Sequence, residues 1–291
     1  MNLAATPLHQ LFAAKITGID LSKPIDEGVQ RAIERTMDEY AVCVLPNQSL
    51  EDEDQIAFSR LYGPLEVSPL VQDKSGRAVV NTRVRHREIF DISNLDQDEK
   101  ILDENDARSA YRLGNQLWHT DSSFRQKSAT WSMLHARIIP PAGGDTEFAD
   151  TRAAYDALPD AMKRSLEGRR AVFDFRGRKR ALTPTQDEIE RNPPVLHPLV
   201  RTHPHTARKC LYVMRDDCTG IEGLDAEEAG SLICALADHI AKPAFIYRHQ
   251  WRVGDLLLWD NCTVQHRAIQ DYGLPQRRLM HRTTMGGAVP A

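Results

Sequence analysis

Short extended segments separated by turns are the feature of this sequence that most restricts its fold. Gly254 and Asp255 form a turn between two of these segments. The segments do not alternate with helices as the strands of a parallel sheet do, and neither a G-x-G-x-x-G motif nor a phosphate-binding loop is present. The pattern predicts a mainly β fold with helices, built as a β-sandwich or jelly roll. The predicted strands cover residues 41–45, 129–139, 209–214, 245–251, 255–259 and 278–285.

Residues with the chemistry of helix starts precede several stretches with helical spacing. Ser49, Asp150 and Asp225 are candidate N-caps, and Pro159 is suited to start a further helix. The predicted helices cover residues 49–63, 150–158, 159–168 and 225–242.

Charge and cysteine content indicate the protein's environment. Lysine and arginine number 37 against 41 aspartates and glutamates, which gives a net charge of -4 and argues against nucleic-acid binding. The five cysteines form no C-x-x-C pair, so we expect free thiols in a reducing cytoplasm. The residues from Met1 to Pro7 lack the basic and apolar regions expected of a signal peptide, and no apolar run approaches the roughly 20 residues of a membrane span. We expect a cytoplasmic protein without nucleic-acid or membrane partners.

Residues 67–117 depart from the regular pattern of the rest of the chain. They combine weak periodicity with many charges, and irregular segments of this length in a domain are usually functional. We expect one domain over residues 1–291, with an irregular lid over about 67–117 that lines the ligand pocket.

His119 and Asp121 have the chemistry and spacing of metal ligands. In an extended segment, residues i and i+2 point to the same side, so this imidazole and this carboxylate can converge on one ion. His266, after a predicted strand, is the candidate for a third ligand. Two histidines and one carboxylate form a facial triad that leaves open positions on iron for a bidentate co-substrate and O2. Spacing alone does not exclude ordinary core or surface histidines.

Other candidate ligands in the sequence are weaker. His203 and His205 share the same spacing, but Pro204 stands between them and no carboxylate lies nearby in the sequence. Cys262 offers a soft thiolate that does not suit an oxygen-activating ferrous site, so we expect it to pack in the core.

Arginines after His266 are candidate anchors for carboxylates. Alternation along the predicted strand places Arg278 and Arg282 on one face and Arg277 on the other. A buried carboxylate needs a cation, and a planar guanidinium can bind it through two hydrogen bonds. Thr146, after a Pro-Pro and Gly-Gly turn, offers a hydroxyl donor for the same group. The alternatives are exposed sheet charges and a turn without a chemical role.

Four ordered motifs carry a family resemblance. They are Trp118-His-Thr-Asp121, Pro141-Ala-Gly-Gly-Asp-Thr146, Trp259-Asp-Asn261 with His266, and Gln276-Arg-Arg with Met280-His-Arg282. Together they resemble the taurine dioxygenase / 2,4-dichlorophenoxyacetate dioxygenase family of Fe(II)/2-oxoglutarate-dependent oxygenases. The likeness begins at Thr6 and covers nearly the whole chain.

The resemblance implies a double-stranded β-helix core and a metal site within it. Under this resemblance His119, Asp121 and His266 bind Fe(II). Thr146 and Arg278 hold the C5 carboxylate of 2-oxoglutarate.

The resemblance also implies a site for the substrate. Arg282 matches the position that binds the substrate's anionic group, and Asn115 matches a position that faces the substrate. The stretch between His266 and the arginine pair is one residue longer than in the family, which leaves Arg277 as an alternative anchor. We favour Arg278 because it shares a strand face with Arg282.

The implied activity is that of a single catalytic oxygenase domain using Fe(II), O2 and the co-substrate 2-oxoglutarate, with ascorbate as an activator in vitro. It hydroxylates a small anionic organic substrate and yields succinate and CO2. Hydroxylation beside an ether oxygen would cleave an aryloxyalkanoate such as 2,4-dichlorophenoxyacetate. The alternatives are a taurine-like sulfonate dioxygenase and a non-catalytic cupin-like binding protein. Asp121 argues against a halogenase, and the lack of an H-E-x-x-H motif argues against a metal hydrolase. We expect a homo-oligomer.

Overall fold

Short strands make up much of the fold. The structure is a computed structural model, and it describes residues 3–68, 71–72, 78–79, 83–102, 114–177, 186–273, 275–287 and 289–291. The strands are β1 (Ala4–Pro7), β2 (Ala14–Thr17), β3 (Val42–Leu45), β4 (Val71–Gln72), β5 (Ala78–Val79), β6 (Phe90–Ser93), β7 (Ala129–Ile138), β8 (Thr146–Asp150), β9 (Arg170–Phe173), β10 (Val195–Pro198), β11 (Val200–Thr202), β12 (Lys209–Leu211), β13 (Cys218–Ile221), β14 (Ile246–His249), β15 (Leu256–Asp260), β16 (Val264–Ala268) and β17 (Leu279–Gly286). The helices are α1 (Glu27–Tyr40), α2 (Asp52–Arg60), α3 (Thr151–Asp156), α4 (Asp160–Leu166), α5 (Gln186–Arg191) and α6 (Ala226–Ile240).

Two sheets form the centre of the fold. The larger has the strand order β1-β2-β3-β15-β7-β17-β6, and the smaller has the order β14-β8-β16. All neighbours in these sheets are antiparallel except β2 and β3. From β14 to β17 the chain passes to the other sheet at every step, which winds the two sheets together. The jelly roll predicted from the sequence, with its double-stranded β-helix core, is confirmed.

Strand β15 divides the core into an outer and an inner layer. All its residues are buried, and successive side chains face opposite sides of the sheet. Leu256 and Leu258 pack in the cluster that includes residues of α1, whereas Leu257 and Trp259 pack with Phe148 between the two sheets. Burial of one such side chain stabilises the fold by about 1.5–3 kcal/mol. The strand therefore joins both layers of the core.

Several helices begin where a side-chain oxygen accepts a main-chain hydrogen bond. Asp225 caps α6 and Asp150 caps α3, as predicted. The Ser49 prediction is wrong, because α2 begins after Glu51, whose N–H donates to Asp54 Oδ2 at 2.9 Å in a capping box. Among the described residues, no helix has the length and apolar character of a membrane span.

The expected lid segment is only partly described. Residues 69–70, 73–77, 80–82 and 103–113 lie outside the described residues. Strand β6 lies within this segment and pairs with β17 at the edge of the larger sheet, so this part is regular rather than irregular. The segment therefore contributes a strand next to Arg282 of β17.

The five cysteines are free thiols, as expected from their spacing. Four are buried, and Cys234 on α6 is partly exposed. Burial raises the pKa of the buried thiols, that of Cys210 to about 12. The buried cysteines are Cys43, Cys210, Cys218 and Cys262.

Candidate metal centre

Two main-chain hydrogen bonds bring the candidate metal ligands together. His119 N–H donates to His266 O at 3.1 Å, and His266 N–H donates to His119 O at 2.8 Å. This bridge joins the segment that carries Asp121 to β16. The potential ligand atoms of the three residues lie within 4.8 Å of one another, and all three residues are buried. The residues that spacing and resemblance singled out therefore lie at one place.

Neighbouring groups orient the two imidazoles. His119 Nδ1 lies 2.7 Å from Leu117 O. Because a carbonyl only accepts, Nδ1 carries the proton and Nε2 keeps its lone pair. His266 stacks on Phe148 with ring centroids 6.1 Å apart and packs against Trp259 at 4.7 Å. Imidazole nitrogens and a carboxylate, oriented in this way by outer groups, suit Fe(II).

Asp121 is held by residues from three other strands or turns. Ser132 Oγ donates to Asp121 Oδ2 at 2.6 Å, and Arg282 Nη1 donates to Oδ1 at 2.6 Å. Asn261 Oδ1 accepts from Asp121 N–H at 3.0 Å, and Asn261 Nδ2 donates to Ser132 Oγ at 3.0 Å. Burial alone would raise the pKa of Asp121, but the charge of Arg282 and the hydrogen bond from Ser132 help to hold it well below its usual range. The carboxylate is therefore ionised and fixed.

Ser132 and Asn261 were not among the predicted site residues. Asn261 belongs to the Trp-Asp-Asn motif, so a sequence signal for it was available. Ser132 has no comparable signal, because only the pairing of β7 with its neighbours brings its hydroxyl to Asp121.

Arg278 and Arg277 have opposite environments. Arg278 is buried, its Nε donates to Gly144 O at 3.2 Å, and its N–H donates to Asn94 Oδ1 at 2.8 Å. Gly144 has φ +76°, and a Cβ there would lie 3.3 Å from the Arg278 side chain. The glycine therefore leaves room for the guanidinium. The Arg277 side chain is 40% exposed and pairs with Glu99 at 2.9 Å.

Thr146 and Asn115 both lie beside the end of β16. Thr146 begins β8 and is paired with Ala268, two residues after His266. The Asn115 carbonyl accepts from Ala268 N–H at 2.7 Å. Thr146 Oγ1 accepts from Trp251 Nε1 at 2.9 Å, which leaves the hydroxyl proton available for a ligand.

Arg282 lies opposite Phe90, a residue that sequence reasoning also missed. The two residues are paired across β17 and β6, and the guanidinium lies 5.1 Å from the centre of the Phe90 ring. Met280 packs in the inner core on the same side as Arg282, whereas His281 faces away and contacts Asp52 at 2.6 Å. Within the described residues, Arg282 Nε is buried without a hydrogen-bond acceptor. A buried donor of this kind favours an anionic ligand.

A second group, His203, Asp260 and Cys262, also has potential ligand atoms within 4.8 Å of one another. Thr206 N–H donates to His203 Nδ1 at 3.1 Å, so His203 Nε2 carries the proton and donates to Asp260 Oδ2 at 3.0 Å. Burial raises the pKa of Cys262 well above its usual value. The His203 imidazole and the Cys262 thiol both carry a proton where they face Asp260. This group therefore stabilises the turn between β15 and β16 and does not suit a metal, which needs deprotonated ligand atoms.

Comparison with known proteins gives a consistent result. The family described as "Taurine catabolism dioxygenase TauD, TfdA family" matches residues 4–284. The chain is 44% identical over 297 residues to the alpha-ketoglutarate-dependent 2,4-dichlorophenoxyacetate dioxygenase of Cupriavidus pinatubonensis, which covers 99% of this chain and 100% of that protein. It is 32% identical over 292 residues to the (S)-phenoxypropionate/alpha-ketoglutarate-dioxygenase of Sphingobium herbicidovorans, with 97% and 94% covered.

Solved structures give the same likeness. The crystal structure of AAD-2 in complex with Mn(II) and N-oxalylglycine matches with a TM-score of 0.87 and 37% identity. The match covers 100% of this chain and 98% of that one.

Proposed function

The chain belongs to the taurine catabolism dioxygenase TauD, TfdA family and is an Fe(II)- and 2-oxoglutarate-dependent dioxygenase, and on this premise we propose that it hydroxylates aryloxyalkanoic acids. The observation that carries the proposal is the position of Arg282, whose guanidinium contacts both Asp121 and the ring of Phe90. An acid bound to Arg282 lies next to a candidate metal ligand, and Phe90 offers an apolar face to an aryl group. Two relatives are named for phenoxyacetate and phenoxypropionate substrates.

In this proposal His119, Asp121 and His266 hold the iron. Bound iron supplies oxygen activation together with 2-oxoglutarate, which leaves as succinate and CO2. The chain supplies orientation: the Leu117 carbonyl keeps His119 Nε2 directed inward, and the Ser132 hydroxyl fixes one oxygen of Asp121.

Thr146 and Arg278 hold the C5 carboxylate of 2-oxoglutarate in this proposal. The burial of Arg278 supports the assignment, since a buried guanidinium is stabilised by an anionic partner. Arg277 is a weaker candidate, because its exposed side chain already pairs with Glu99.

Arg282 binds the substrate carboxylate, and Asn115 faces the substrate. Hydroxylation of the carbon between the ether oxygen and the carboxylate gives a hemiacetal, which collapses to a phenol and an aldehyde acid. From 2,4-dichlorophenoxyacetate these products are 2,4-dichlorophenol and glyoxylate. A small sulfonate carries a similar charge, but it gains nothing from the aromatic face of Phe90.

Succinate release tests the proposal on the unmodified protein with Fe(II), ascorbate and 2-oxoglutarate. We expect rapid release with 2,4-dichlorophenoxyacetate and little release with its methyl ester, because an ester offers no anionic acceptor to the buried Nε of Arg282. We expect little release with taurine, which has no aryl group to pack against Phe90. Equal rates for acid and ester would contradict an anionic substrate, and a preference for taurine would favour the sulfonate alternative. Binding of these acids without any succinate release would favour the cupin-like alternative.

Variants connect the result to the site. We expect Arg282→Ala to narrow the difference in succinate release between the acid and its ester. Arg31→Ala is the control, since it removes an exposed arginine paired with Glu27 on α1, and it should leave this difference unchanged. Asp121→Ala should stop succinate release. If Arg282→Ala still prefers the acid to the ester as strongly as the unmodified protein does, the substrate's anionic group binds at another residue.

We also propose that residues 1–291 form a single catalytic oxygenase domain, with part of the 67–117 segment as its lid. The inner core shared by both sheets supports this proposal. The free thiols support a reducing, cytoplasmic environment. The homo-oligomer stays a prediction.

A further inference from the structure

The residue after Asp121 has a backbone conformation that a side chain disfavours. Ser122 has φ +54°, in the left-handed region. This conformation costs a residue other than glycine about 1 kcal/mol or more and persists only where neighbours impose it. It determines the direction in which the chain leaves Asp121, so it also influences the orientation of that carboxylate.

Glu66 contacts this turn at two points. Ser122 Oγ donates to Glu66 Oε2 at 2.8 Å, and Arg125 Nη1 lies 3.0 Å from the same oxygen. Arg125 N–H also donates to Ser122 O at 3.0 Å, which closes the turn. The Glu66 side chain is only 8% exposed, so water competes weakly for these bonds. One buried carboxylate therefore holds both ends of the turn after Asp121.

The backbone of Glu66 is fixed to the strand that carries the candidate anion site. Glu66 N–H donates to Thr284 O at 2.8 Å, and Thr284 lies two residues after Arg282 on β17. Arg282 in turn donates to Asp121. Burial raises the pKa of Glu66, and the charges of Asp121 and Arg282 both act on it. Glu66 therefore contacts both the turn that follows Asp121 and the strand that carries Arg282.

We propose that Glu66 is a positioning residue, which holds Ser122 in its left-handed conformation and thereby orients Asp121 towards the metal and Arg282. This inference rests on the proposed metal role of Asp121. Glu66 does not touch the metal itself, and its effect passes through the backbone of Ser122.

Equilibrium dialysis with Mn(II) tests this role without relying on turnover. We expect Glu66→Ala to weaken Mn(II) binding about tenfold, as is typical when a group that orients a ligand is removed. Glu66→Gln should weaken it less, since it keeps an acceptor for Ser122. Adding Ser122→Gly to Glu66→Ala should restore most of the affinity, because glycine adopts the left-handed conformation without support. If Glu66 only stabilised the fold in general, glycine at position 122 would not restore the Mn(II) affinity.

The controls separate this inference from the proposed function. Glu88→Ala removes a carboxylate paired with Arg60 at 2.7 Å outside the site, and it should leave Mn(II) affinity unchanged. His119→Ala should abolish Mn(II) binding at the site. If the His119→Ala variant bound Mn(II) as the unmodified protein does, the proposed metal ligands would be wrong, whatever the role of Glu66. Wild-type affinity in Glu66→Ala, or no recovery in the double variant, would overturn the positioning role. If Glu66→Ala does not fold, Ser122→Ala decides, and unchanged affinity in that variant would overturn the role equally.

Discussion

At the scale of single residues, Arg277 and Arg278 differ in burial more than in chemistry. Arg278 is 6% exposed and bonded to Gly144 and Asn94, whereas the Arg277 side chain lies at the surface. Alternation along the strand predicted that the two would face opposite sides. It could not say which side is the pocket, because burial depends on strands far away in sequence.

We predict that Arg278→Ala raises the KM for 2-oxoglutarate by about two orders of magnitude or more, since removing one partner of a buried charge pair costs about 3–5 kcal/mol. Arg277→Ala should change it little, because exposed pairs contribute about 0–1 kcal/mol. Steady-state rates of succinate formation over a range of 2-oxoglutarate concentrations measure both values. A larger defect in Arg277→Ala would show that the longer loop before it shifts the anchor by one residue.

The candidate site was predictable from the sequence only in part. The spacing of His119 and Asp121 indicated their convergence, the position of His266 after a predicted strand made it the candidate third ligand, and the family resemblance implied the same three residues. The contacts of Ser132 and Glu66 with this region were not predictable, because each depends on a pairing between distant segments. The chemistry of a serine or glutamate alone gives no indication of such a partner.

At the scale of elements, strands with apolar residues were easier to predict than strands that carry site residues. Strands β3, β7, β15 and β17 appear within one or two residues of their predicted bounds. Strand β16 was missed, because His266 and Gln265 are buried polar residues that break the usual alternation. Helix α1 was also not predicted, although Val29, Ile33 and Met37 have helical spacing and face the core.

The turn between β7 and β8 offers a test of an element rather than of a functional group. Gly144→Ala places a Cβ 3.1 Å from Pro140 and 3.3 Å from Arg278, in addition to the strain of φ +76°. Gly168→Ala is a matched control, with φ +73° and nothing within 4 Å of its Cβ. We expect both variants to lose about 1 kcal/mol or more of stability, because alanine disfavours positive φ.

Only Gly144→Ala should also raise the KM for 2-oxoglutarate, since only there does the new methyl group displace Arg278. Thermal denaturation and succinate kinetics on the same two variants separate strain from displacement. A raised KM in Gly168→Ala as well would mean that loss of stability alone explains the effect.

At the scale of the whole molecule, the sequence predicted the class of fold, a jelly roll. It did not predict the strand order, in which β14 to β17 alternate between the two sheets. A period of two indicates a strand, yet it does not specify the strand with which it pairs. The pairing also buries groups that titrate. His135 on β7 is 2% exposed, and its Nε2 donates to Gln48 O at 2.9 Å.

This burial predicts a dependence of stability on pH. Burial lowers the pKa of His135 to about 4, with Arg137 and His281 adding to the effect and Asp52 and the Gln48 carbonyl opposing it. In the unfolded chain the pKa of histidine is about 6.5. The unfolded state therefore takes up the proton first as pH falls. The contribution of His135 is fully present above pH ~6.5 and is lost between pH ~6.5 and ~4, by about 3 kcal/mol in all.

Urea unfolding at several pH values between 7.5 and 4.5 measures this loss. We expect His135→Gln, which keeps a donor for Gln48 but does not titrate, to lose less stability over this range than the unmodified protein. Because the other titrating groups are common to both proteins, the difference belongs to His135. Parallel curves for the two proteins would rule out its contribution.

The uneven burial of the cysteines makes the unmodified chain suitable for labelling at one site. A thiol reacts as its thiolate and only where a reagent can reach it, so the four buried, high-pKa thiols resist modification while the fold is intact. Cys234 is the partly exposed member of the set and lies on α6, outside the candidate site. A maleimide fluorophore or spin label therefore attaches at a rigid helix without any cysteine being removed. Distance measurements from this probe to a paramagnetic metal could then follow the site in the native sequence.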